Sequence, residues 1–87
     1  MRYTVVWGPA AEAELAHLWL DERTRRAVAN AANEIDRRLQ TDPEHEGESR
    51  PNNRRILFVA PLAVTFRIES DDRIARVIEV WRYHTRS

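Results

Sequence analysis

The sequence predicts an α+β domain of order β-α-α-β-β-β, with a helical hairpin packed on one side of a mostly antiparallel four-stranded sheet. Three observations lead there. The β-branched and aromatic run RYTVVW opens the chain and stops at Gly8-Pro9. Two stretches with apolar residues at three- and four-residue steps come next. The final third alternates apolar and polar residues between short turns.

Arg2 to Trp7 reads as a strand, since β-branched and aromatic side chains suit a pleated, half-buried surface. Pro9 suits the first position of a helix, where no backbone N–H is needed. In the following AAEAELAHLWLDE, Ala11, Leu15, Leu18 and Trp19 form one apolar face, and Glu12 and Glu14 suit the positive end of the helix dipole. A second helix runs from about Glu22 to Gln40, with Val28, Ala32, Ile35 and Leu39 on one stripe, and Asp42-Pro43 ends it. The alanines at its centre allow a close antiparallel approach of the two helices. Thr41 to Asn53 (TDPEHEGESRPNN) contains no aliphatic residue and reads as a loop. At about a dozen residues it is long for a compact domain, and such loops are often functional.

Three strands complete the order. Arg54 to Ala60 turns at Ala60-Pro61 into Leu62 to Glu69, and Ser70-Asp71-Asp72 leads into Arg73 to about Tyr83. In the middle strand Leu62, Val64, Phe66 and Ile68 share one face, while Ala63, Thr65, Arg67 and Glu69 share the other. That alternation predicts a half-buried antiparallel strand. In the last strand Ile74, Arg76, Ile78, Val80, Arg82 and His84 oppose Val77, Glu79, Trp81 and Tyr83. Periodicity alone leaves open which set faces inward.

At 87 residues the chain predicts one domain over 1–87, with a thin core. The lack of cysteine excludes disulfides, thiolate metal sites and cysteine nucleophiles. No apolar run approaches the roughly 20 residues of a membrane span, and no signal peptide is visible, so a soluble cytoplasmic protein is expected. Basic and acidic residues balance at fourteen each, but unevenly. Residues 1–48 hold six arginines and ten acids, and residues 49–87 hold eight arginines and four acids. Every basic residue is arginine, a usage that GC-rich coding would also produce. A basic C-terminal half hints at an anionic target, since arginine binds phosphate in bidentate fashion.

The strand YTVVW, the helix ending IDRRLQTDP, the passage GESRPNNRRILF, the hairpin PLAVTFRI and the closing RVIEVWRYH together resemble the RelE/ParE family of bacterial toxins. The resemblance covers about residues 2 to 84 and rests on the order of these stretches. It implies the toxin half of a type II toxin–antitoxin system, neutralised by a cognate antitoxin that wraps around it. RelE-like members cut mRNA at the ribosome without a metal, and ParE-like members poison DNA gyrase. The reading adopted is a ribosome-associated mRNA endoribonuclease that uses no cofactor. The alternatives are a gyrase poison without catalytic residues, or a decayed member that retains only antitoxin binding. The partners expected are the cognate antitoxin and the ribosome with its mRNA, and the oligomeric state, as a homo-oligomer or a hetero-oligomer with the antitoxin, stays open.

Cleavage of RNA without metal needs a base for the ribose 2′-OH, an acid for the leaving oxygen, and cations for the developing phosphorane charge. Arg82-Tyr83-His84 matches the first three positions of the Arg-Tyr-His-Tyr ending of the YoeB-like subgroup, with Thr85 in place of the last tyrosine. The resemblance gives His84 an acid–base role, and Glu48, or less favourably Glu46, the role of the loop glutamate. The plainer readings are a fraying chain end, an aromatic that closes the core edge at Tyr83, and solvated loop acids. Arg54-Arg55-Ile56 resembles the subgroup's Arg-Arg-Ile strand entry. The expected catalytic set is Glu48, Arg55, Tyr83 and His84, with Arg54, Arg67 and Arg82 contacting nucleic acid. One departure stands out. Where RNase members carry a phosphate-clamping arginine, this chain has Ala63, and Arg67 lies about 13 Å further along the strand. His17 and His45 read as surface residues, and the three histidines show no metal-ligand spacing.

Overall fold

The structure, a computed structural model, describes residues 2–83. Its elements are β1 (Thr4–Trp7), α1 (Pro9–Trp19), α2 (Arg25–Thr41), β2 (Glu48–Arg50), β3 (Arg54–Val59), β4 (Leu62–Glu69) and β5 (Ile74–Arg82). The sheet order is β1-β5-β4-β3-β2, with β1 parallel to β5 and every other pair antiparallel. Both helices cover one side. Val28, Ile35 and Leu39 of α2 and Ala11 of α1 meet Leu57, Leu62, Val64, Phe66, Ala75, Val77 and Val80 of the sheet. Phe66, fully buried in the central strand, is the largest wholly enclosed side chain. Among the described residues, no helix is long and apolar enough to cross a membrane.

Among the described residues the sheet has five strands, one more than the sequence predicts. Inside the expected loop, Pro43–His45 forms a turn of 3-10 helix and Glu48–Arg50 pairs with β3. The hairpin between them turns through Asn52 and Asn53, whose φ values are 65° and 60°. Asparagine tolerates this left-handed region better than most residues and favours such turns. Three exposed polar residues carry no apolar alternation, so β2 leaves no periodic signal.

Three further expectations change. Helix α2 begins at Arg25 rather than near Glu22, because Asp21 to Thr24 form the turn between the helices. Trp19 points outward, 46% exposed, with the Arg25 guanidinium 4.1 Å from its ring centroid. Strand β4 is buried on both faces from Leu62 to Phe66, not on one. Ala63 and Thr65 lie on the helix-free face, where larger in-register neighbours on β3 and β5 shelter their short side chains.

The undecided faces of the last strand are settled by a β-bulge. Thr65 pairs with Glu79 and Phe66 with Val77, so Ile78 is an extra residue in β5. A bulge reverses the side-chain parity across it. Ala75, Val77 and Val80 therefore all reach the core, while Arg76, Glu79 and Trp81 face away from the helices.

Two arginines tie outlying segments to this frame. Arg82 lies on the helix side, where it donates to the Asp21 carboxylate at 3.4 Å and the Thr24 hydroxyl at 2.9 Å. Asp21 is held below its ordinary carboxyl range, first by the Arg23 backbone N–H and further by Arg82. Arg55 donates from Nε to the Glu46 carbonyl at 2.9 Å and from its terminal nitrogen to the Gly47 carbonyl at 3.2 Å. Gly47 has φ +69°, and a Cβ there would lie 2.3 Å from the Ile56 carbonyl oxygen.

Two substitutions test these ties. Arg82→Ala should cost about 2 kcal/mol, by removing charge-assisted hydrogen bonds that are partly shielded from water, which a denaturant midpoint will read. Gly47→Ala should cost about 1–3 kcal/mol through backbone strain and the clash with Ile56. Amide exchange should then accelerate in β2 while the β4 amides stay protected.

Candidate functional site on the helix-free sheet face

The face of the sheet that no helix covers presents its side chains in register. Residues paired across neighbouring strands point to the same side, so the pairing defines rows. One row runs Phe58–Ala63–Trp81, the next Glu48–Ile56–Thr65–Glu79, and the third Arg50–Arg54–Arg67–Arg76. Tyr83 lies two residues beyond Trp81, and its backbone N–H donates to the Pro61 carbonyl at 3.0 Å. Its ring packs edge-on against Phe58, with centroids 5.1 Å apart at 75°. The face thus has an aromatic end and an arginine end.

The aromatic end explains the departure at Ala63. The methyl side chain is fully buried in register between Phe58 and Trp81. Phe58 remains 45% exposed and offers an apolar surface beside Tyr83. The alanine therefore belongs to an aromatic-walled floor, and no cation stands at this point of the strand.

The sequence-derived site residues are only partly brought together. Tyr83 reaches the helix-free face at the end of β5. Glu48 lies on the same face but on the β2 edge, three strands away, which is roughly 14 Å at the usual strand spacing. Its carboxylate is 3.6 Å from the Arg50 guanidinium. Arg54 and Arg67 stand side by side in the arginine row. Arg55 faces the opposite way and is occupied by the loop carbonyls of Glu46 and Gly47. Arg82 is likewise turned to the helices and anchored at Asp21 and Thr24. Glu46, the other loop acid, sits 3.8 Å from Arg38 of α2. His84 lies outside the described residues.

Electrostatics separates the two ends further. Glu69 accepts hydrogen bonds from Arg76 at 2.8 and 3.1 Å and from Arg67 at 3.2 Å. Its carboxyl is held below the ordinary range, first by the Arg76 hydrogen bonds and then by Arg67. The raised acidity keeps Glu69 ionised wherever the fold is intact near neutral pH, so it offsets part of the positive row. His45 is shifted the other way, upward, by its hydrogen bond to Asp42 at 2.9 Å, and plays no part on this face.

Sequence reasoning missed Arg50, Arg76, Phe58 and Trp81 as members of this face. Arg76 could be placed only by the bulge at Ile78, and Arg50 only by recognition of β2. The Asn52-Asn53 pair was the available signal for the hairpin that carries Arg50.

No protein-family model matches the sequence, and no curated protein matches it. Solved structures do share the architecture. A chain of the toxin–antitoxin complex RelBE2 from Mycobacterium tuberculosis superposes with a TM-score of 0.79 at 17% identity, covering 95% of this chain and 93% of that one. A chain of the chromosomal ParDE toxin–antitoxin system from P. aeruginosa gives 0.73 at 18% identity, covering 95% and 98%. The isolated E. coli RelE toxin gives 0.66 at 11% identity, covering 97% and 87%. Likeness at such identities is a likeness of architecture, and it extends over nearly the full length of each partner in the comparison. The chain has the fold of the RelE/ParE toxins.

Proposed function

We propose that this chain is the toxin component of a type II toxin–antitoxin system, neutralised by a cognate antitoxin, and that it acts as a metal-independent mRNA endoribonuclease at the ribosome. The observation that carries the reading is the helix-free sheet face, charged at one end and aromatic at the other, on a fold shared end to end with chains of toxin–antitoxin complexes. In this reaction the ribose 2′-oxygen attacks the adjacent phosphorus as a base removes its proton. The bond to the 5′-oxygen breaks, and an acid protonates that leaving oxygen. Tyr83 supplies a stacking surface beside Phe58 for a neighbouring base, and His84 follows it directly in the chain as the proton-transfer group. Arg55 and Arg82 act as positioning residues: one fixes the Glu46–Glu48 segment and the other fixes the end of β5. Glu48 lies on the β2 edge, three strands from Tyr83, so the two do not share a scissile phosphate in this arrangement.

One observation favours a second reading. Ala63 and its aromatic neighbours stand where the family resemblance expects a phosphate clamp. That surface suits a gyrase poison, which works by binding and needs no catalytic group.

Induced expression without an antitoxin should arrest growth under either reading, and unimpaired growth would refute both. Primer extension should then map codon-positioned mRNA breaks. Intact mRNA together with a DNA-damage response would replace the first reading by the second. His84→Ala should slow cleavage by about 100-fold, as expected for loss of one general acid or base. Tyr83→Ala should weaken RNA binding by about ten- to a hundredfold through lost stacking.

A further inference from the structure

Strand β2 (Glu48–Arg50) is the outermost strand of the sheet, and among the described residues β3 is the only strand paired with it. The backbone N–H and C=O groups of its outer edge therefore lack a ladder partner, and all three of its side chains are exposed. An edge of this kind is a template for another strand. Gly47, at φ +69°, ends the extended run on one side, and Pro51, which has no N–H to donate, ends it on the other. What remains is Glu48-Ser49-Arg50, an acid and a base placed symmetrically about a small residue. Glu48 and Arg50 both point to the helix-free face, as do the residues paired with them, Ile56 and Arg54. Their own ion pair spans 3.6 Å, and with side chains 69% and 41% exposed both charges are open to a further partner. Arg50 also donates to the Ser49 carbonyl at 3.0 Å, and that oxygen keeps a second lone pair for a ladder bond.

We infer that β2 joins two copies of this chain edge to edge, antiparallel, about a two-fold axis through Ser49. In that register Glu48 stands opposite the partner's Arg50, Ser49 opposite the partner's Ser49, and Arg50 opposite the partner's Glu48. Opposite charges directly across an antiparallel pair attract and like charges repel. The favourable contact therefore occurs twice by symmetry, as an isologous interface requires. A shift of two residues sets Glu48 against Glu48 or Arg50 against Arg50, and an in-register parallel arrangement does both. The edge thus refuses other registers and accepts its own. The axis stands perpendicular to the sheet, so one sheet runs through both copies and both helix-free faces lie on the same side. Each copy adds a carboxylate beside the Arg50 of the other, on the face that carries the candidate site. The opposite edge strand, β1 (Thr4–Trp7), has no charged residue to select a register. Three paired residues bury much less than the roughly 1,200 Å² of a stable interface, so the association is weak and concentration-dependent. The inference goes beyond the proposed function, because the pairing holds whether the protein cleaves RNA or binds gyrase.

Sedimentation velocity on the full chain, from about 10 μM to about 1 mM at low salt, tests this without reading toxicity or cleavage. The wild type should move from monomer toward dimer across that range. Glu48→Arg and Arg50→Glu each set like charges opposite one another at both ends of the strand pair. Each should weaken self-association by about tenfold. Mixed in equal amounts, the two variants should regain it as a heterodimer, because every arginine of one then faces a glutamate of the other. A variant that has merely lost its fold cannot show that recovery. Glu22→Arg, the same charge change on the exposed turn between the helices, should leave association unchanged. A wild type that stays monomeric throughout overturns the inference. So does an equal loss in Glu22→Arg, single β2 variants that dimerise like the wild type, or a mixture that associates no better than its components.

Discussion

The extra residue at Ile78 governs what both faces of the sheet can be. Strand β5 contributes Val77 and Val80 to the core, although they lie three apart, an odd number that a regular strand would send to opposite sides. The bulge absorbs the mismatch. N-terminal to it, Ala75 and Val77 seal the core beside Phe66 and Ile68, and Arg76 points out. C-terminal to it, Val80 and Arg82 point toward the helices, and Glu79 and Trp81 point out. Without the bulge one half of β5 would bury an arginine or expose a valine. The arginine row, the aromatic end and the anchoring of Arg82 all follow from this one irregularity.

The same strand links packing to electrostatics. Arg76 reaches the helix-free face only one residue before Val77, and there it meets Glu69 at the end of β4. The pair is partly shielded from water, and Glu69 is also reached by Arg67, so one carboxylate serves two guanidinium groups. Because its carboxyl is shifted downward, the stabilisation it gives is present above the ordinary carboxyl range and fades only as pH falls through the lowered value. Positive charge is thus concentrated where strand pairing places it and offset by Glu69 and Glu48, while the row at the other end, Phe58, Ala63 and Trp81, carries no charge. A sheet polarised in this way presents two different chemistries along a single strand length.

Arg55 and Arg82 show how the fold spends arginines that sequence reading assigns to chemistry. Each belongs to an adjacent pair or a terminal motif that looks solvent-facing, and each is instead a tether. Arg55 closes the backbone of the Glu46–Gly47 turn onto β3, where Gly47 is needed both for its positive φ and for its approach to Ile56. Arg82 closes the end of β5 onto the turn between the helices, so the position of Tyr83 depends on Asp21 and Thr24, far away in sequence. In this structure both guanidinium groups are engaged by the protein's own oxygens, and through them they set the geometry of the Glu46–Gly47 turn and of the end of β5.

The sequence by itself determined the order of the two helices and of four of the five strands, both helix faces apart from Trp19, and the face of the Leu62–Glu69 strand that carries Arg67. These follow from local periodicity and turn chemistry, which act over a few residues. Only the tertiary structure decided that β2 exists, that Ala63 is a buried floor, and that Arg50 and Arg76 join the other two arginines in one row. The physical reason is register. Which residues stand opposite one another depends on hydrogen bonding between strands that are distant in sequence, and a single bulge shifts that pairing by one residue without leaving a mark on the local apolar pattern.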